Sequence, residues 1–74
     1  MQDLLTYMLE GIIEGEFSVT EEEQDGFITY KITAPQDQIG RVIGKNGKTI
    51  NALKNILKVR AVKENVKVDI QISE

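Results

Sequence analysis

Residues 66–72, Val-Lys-Val-Asp-Ile-Gln-Ile, place a β-branched apolar side chain at every second position and a polar one between. Side chains of a strand point alternately to its two faces, so this stretch has one dry face and one wet face. It can be stable only inside a sheet that is covered on a single side. Residues 27–33, Phe-Ile-Thr-Tyr-Lys-Ile-Thr, repeat the pattern, with Ile28, Tyr30 and Ile32 on one face. Ahead of them Phe17 and Val19 alternate with Ser18 and Thr20. The connecting Glu23-Gln24-Asp25-Gly26 ends in a dipeptide suited to the positive φ angles of a tight hairpin. Two antiparallel strands early in the chain and a third near its end are predicted.

The cover has to come from what lies outside these strands. Leu4, Leu5, Met8, Leu9, Ile12 and Ile13 recur at three- and four-residue spacing, which predicts an amphipathic helix over residues 3–14, closed by Gly15. Pro35 suits the first turn of a second helix that carries Ile39, Val42 and Ile43 as far as Gly44. A third helix runs from about Lys48 to Lys63, with Ile50, Leu53, Ile56 and Leu57 inward and Lys54 and Lys58 outward. The order helix, strand, strand, helix, helix, strand describes an α+β domain, a three-stranded sheet with three helices on one face. A chain of 74 residues buries only about 60% of its unfolded surface, so residues 1–74 read as one domain whose apolar side chains are spent on its core.

Composition closes several routes. The chain has no cysteine and no histidine, which removes thiolate and imidazole ligands, thiol nucleophiles and the commonest general base. Its twelve carboxylates lie on turns and outward positions, without an apolar pocket to raise a pKa. An enzyme is therefore the weakest reading, and no cofactor or metal is implied. The opening residues are amphipathic and acidic, unlike a signal peptide, and the expected location is the cytoplasm.

The net charge of −3 conceals a division. Residues 1–40 hold nine acids and one base, Lys31, whereas residues 41–74 hold eight bases and three acids. Such asymmetry points to an electrostatic partner, although both halves can equally be ordinary solvated surface.

The glycines of Ile-Gly-Arg-Val-Ile-Gly-Lys-Asn-Gly-Lys-Thr-Ile, residues 39–50, sharpen the question. Gly47-Lys48-Thr49 ends like a nucleotide-binding P-loop, but both that loop and the dinucleotide fingerprint require glycine at position 42, which is Val42. What is left is Gly44-Lys45-Asn46-Gly47, a tight turn between two helices. Two glycines let another backbone come close and permit left-handed angles, which asparagine also tolerates. The positive end of the following helix faces whatever lies on the turn, and Arg41, Lys45 and Lys48 add charge. A run of sugar-phosphate fits these parts, and so does a linker that merely needed glycine.

The pattern is longer than two glycines. Val42, Ile43, Gly44, Gly47 and Ile50 match the signature V-I-G-x-x-G-x-x-I, so the chain resembles the K-homology (KH) domains that bind RNA and single-stranded DNA. The element order is similar to the type II, prokaryotic arrangement of that family. The resemblance implies a Gly44–Gly47 loop clamping backbone nucleotides, four of them in KH domains generally. It also implies an apolar groove for the bases, lined by Ile43, Ile39, Ile50 and Leu53 and closed by the last strand near Val68. Periodicity alone makes Ile50, Leu53 and Val68 core positions. Arg41, Lys48, Lys54 and Lys58 would extend the positive field, or stand as solvated side chains. The family further implies self-pairing, or pairing with a larger KH-containing Jag-type protein, and a role as post-transcriptional regulator or RNA chaperone. The acidic first half departs from the often basic family and favours an alternative, an adaptor that keeps the fold and binds protein without touching RNA.

Overall fold

The computed structural model describes residues 1–73. Asp25 and Gly26 both take positive φ, +53° and +77°, and turn β1 (Ser18–Gln24) directly back onto β2 (Phe27–Thr33). The two strands pair antiparallel from Gln24 opposite Phe27 to Ser18 opposite Thr33. On the other side of β2, β3 (Lys67–Ser73) runs parallel, from Phe27 beside Lys67 to Thr33 beside Ser73, giving the order β1-β2-β3. Parallel neighbours need a long crossover. It is supplied by α2 (Gln36–Ile43) and α3 (Lys48–Lys63), while α1 (Gln2–Glu10) precedes the sheet. This mixed sheet with three helices is the α+β architecture expected, in the order of a type II KH fold.

The core collects the inward residues of every layer. Leu5, Leu9 and Ile13 come from α1 and the turn after it. Ile28, Tyr30 and Ile32 of β2, Ala34 just after it, Val42 of α2, Leu53, Leu57 and Ala61 of α3, and Val68 and Ile70 of β3 complete it. Tyr30 is buried up to its hydroxyl, which donates a 2.7 Å hydrogen bond to Glu21 Oε1 on the neighbouring strand. Burial, and then that bond to a carboxylate, push the phenol pKa well above its ordinary value. Gln38, the one buried polar residue among those described, anchors α2 by accepting the Glu14 N–H at 3.1 Å.

One boundary and one inward position differ from the sequence reading. The first helix stops at Glu10, because Gly11 interrupts it at a cost of about 1 kcal/mol for a helix interior. The turn that follows, with the Gly11 N–H on Met8 O and the Ile13 N–H on Leu9 O, keeps Ile12 and Ile13 close to helical spacing. Their periodicity therefore imitated a longer helix. Ile56, expected inward, is 45% exposed: the buried stripe of α3 is Leu53, Leu57 and Ala61, and Ile56 falls outside it.

Candidate nucleic-acid interface

The chain between α2 and α3 is short and conformationally demanding. Gly44 takes φ +74°, ψ +176°, a region open essentially to glycine alone. Lys45–Gly47 then form a single 3-10 turn in which Asn46 (φ +57°) and Gly47 (φ +75°) are both left-handed. The Gly47 N–H bonds Gly44 O at 3.2 Å, and the Lys48 N–H bonds Lys45 O, so the bend closes on itself. The two glycines serve different needs. A Cβ on Gly44 would collide with the Thr49 hydroxyl and stand 2.8 Å from the Thr49 nitrogen, whereas a Cβ on Gly47 would meet nothing nearer than 3.6 Å. Sequence reading did not single out Thr49, because its packing against Gly44 is a contact made only once the helix forms.

The bend is accessible. Lys45, Asn46 and Lys48 are exposed, and α3 opens at Lys48 with no side chain capping its first N–H groups. The helix therefore presents its positive end beside the two lysines. Of the charges expected to extend this field, two are already engaged. Arg41 Nη1 lies 3.4 Å from Glu14 Oε1, and Lys54 Nζ lies 3.4 Å from Asp69 Oδ1 of β3. Lys45, Lys48 and Lys58 make no ion pair among the described residues. The pairing of Lys54 with Asp69 was invisible in the sequence because the two residues meet only when α3 packs on β3.

The apolar residues divide. Ile43 is exposed at the end of α2, and Ile39 and Ile50 are half-buried against the core, so these three can offer apolar surface next to the bend. Leu53 and Val68 are 3% and 7% exposed and belong to the core, as their periodicity indicated.

A Gly-x-x-Gly bend joining two helices over a β1-β2-β3 mixed sheet defines a KH domain in the type II arrangement. Within that class, residues 2–72 match the family model described as the KH domain of KhpA/KhpB, and the chain belongs to that family, one of RNA-binding proteins and not of enzymes. It is similar to the RNA-binding protein KhpA of Chlamydia caviae, with 36% identity over 76 residues, 100% of this chain and 97% of the relative. The RNA-binding protein KhpA of Thermotoga maritima is 39% identical over 59 residues, covering 77% and 79% of the two chains. That of Listeria monocytogenes is 28% identical over 76 residues, covering both chains fully.

Proposed function

We propose that residues 1–74 act as one KH domain that binds single-stranded RNA in the cytoplasm, as a post-transcriptional regulator or RNA chaperone. Gly44, Lys45, Asn46 and Gly47 seat the sugar-phosphate, Lys48 and the start of α3 neutralise it, and Ile39, Ile43 and Ile50 contact bases. One observation carries this reading: a bend whose backbone only glycine can complete leaves two lysines, unpaired among the described residues, exposed at a helix N-terminus. The names of the KhpA relatives support it. With Arg41 and Lys54 engaged by carboxylates, a single copy neutralises few phosphates, so its affinity is low and falls steeply with salt.

The double variant Lys45→Asp, Asn46→Asp tests the loop. Both residues are exposed, and aspartate tolerates the left-handed angles that Asn46 adopts. Thermal stability stays near that of the parent while RNA affinity falls at least ten-fold. A variant that binds RNA as the parent does removes the loop from the mechanism.

A second reading, the adaptor, is favoured by Ile56, Val59 and Val62, which are exposed on the outward side of α3. The same surface serves a domain that pairs with a second copy, or with a KhpB-type partner, and binds RNA as well. Pairing then supplies the affinity that one loop lacks.

A further inference from the structure

We infer that a strand held at the Gly44–Gly47 bend continues along the seam between α3 and β3 to a second subsite, where Phe27 stacks a base flanked by Lys58 and Lys67. The inference rests on the RNA-binding reading above and adds to it an aromatic contact remote from the glycine segment in sequence.

Phe27 opens β2 and is 45% exposed, unusual for a phenylalanine in a domain with few aromatics. It forms one wall of an open cleft of about 310 Å³ at the C-terminal end of α3, together with Lys58, Val62, Val66, Lys67 and Val68. That volume lies at the lower end of the range for small-molecule sites. Among the described residues no carboxylate lines this cleft, and neither Lys58 nor Lys67 is ion-paired. Asp25, on the hairpin side, lines the adjoining cleft and bounds the positive surface there. An exposed aromatic face between two free lysines suits a base and its phosphates, because every base has a face to stack while the lysines meet the backbone.

The cleft lies at the far end of the helix that the bend opens. At 1.5 Å per residue, Lys58 lies about 15 Å along α3 from Lys48. Lys54, between them, reaches Asp69 of β3, and Lys58 lines the cleft with Lys67 and Val68 of that strand, so these two lysines lie on the side of α3 that borders β3. Phe27 and Lys67 are partners across the β2–β3 ladder, so the sheet brings the aromatic to the same seam. The Glu21-Glu22-Glu23 run lies on β1, and Glu22 and Glu23 with Asp25 line a further cleft that Phe27 also borders, so carboxylates bound the positive surface on that side of the ring.

Fluorescein-labelled random-sequence RNAs of five and twelve nucleotides, titrated with the full chain, test the path. Phe27→Leu keeps apolar bulk and is expected to weaken the twelve-nucleotide RNA by roughly 5- to 150-fold, the range base–aromatic stacking gives, while sparing the five-nucleotide RNA. Phe27→Trp restores binding. The pair Lys58→Ala, Lys67→Ala lowers the slope of log affinity against log salt by roughly 1.4, two single-strand phosphates' worth. Parental binding of the longer RNA by both the Phe27→Leu and the double-lysine variants overturns the subsite while leaving the loop intact. A change in sedimentation of Phe27→Leu with unchanged RNA binding makes the cleft a protein contact, and also overturns it. Loss in Phe27→Leu with none in Lys45→Asp, Asn46→Asp overturns the continuous path and the loop reading together. If the parent chain binds neither RNA, the RNA reading falls and the subsite with it.

Discussion

At the scale of single residues, Gly44 and Gly47 occupy equivalent places in a Gly-x-x-Gly pattern but are constrained by different physics. Gly44 combines a glycine-only backbone angle with a neighbour, Thr49, that leaves no room for a Cβ. Gly47 has room and needs only the left-handed region, which asparagine enters readily. Gly44→Ala should therefore destabilise the chain by about 2–3 kcal/mol, strain and collision combined, and Gly47→Asn by less than about 1 kcal/mol. Chemical denaturation of both variants checks the order, and equal losses would show that Thr49 yields at no cost. Such a distinction was not legible in the sequence, where both positions are simply glycine. Asn46 was legible, since its tolerance of positive φ is a property of its own side chain.

At the scale of elements, alternation was the stronger signal and helical periodicity the weaker. Residues 27–33 were bounded correctly as a strand because Asp25-Gly26 fixes the turn and period two admits no ambiguity of face. In α3 the apolar residues exceed what one face can bury. Leu53, Leu57 and Ala61 fill the core stripe, and Ile56 and Val59 are left 45% and 63% exposed. An outward apolar row on a helix is costly in water unless another surface covers it. The pair Ile56→Lys, Val59→Lys is expected to leave stability within about 1 kcal/mol of the parent, as surface changes do. It should also convert any self-associated form to monomer in sedimentation velocity. Unchanged sedimentation, against a parent that does associate, would place the pairing surface elsewhere.

At the scale of the whole molecule, the division of charge along the chain becomes a division in space. The acidic run of β1 lies on one edge of the sheet, and Lys54 and Lys58 of α3 lie beside β3 at the other. Net negative charge therefore does not preclude a polyanion on one face. A single small face does limit affinity, so joining two copies by a flexible linker should tighten binding of a long single-stranded RNA by about 100-fold or more. Fluorescence anisotropy with a thirty-nucleotide RNA measures this, and equal affinities for single and joined chains would mean that one copy already supplies every contact. The sequence by itself determined the order of elements, the dry face of β2 and β3 and the place of the bend, because alternation, glycine angles and turn chemistry are local properties. Only the tertiary structure decided which charges are free, since Glu14 reaches Arg41 and Asp69 reaches Lys54 across gaps in the chain. It also left Ile56 outside the buried stripe of α3, and it brought Phe27 beside Lys58 and Lys67. Pairing of remote residues depends on how helices pack on the sheet, and no window of sequence contains that distance.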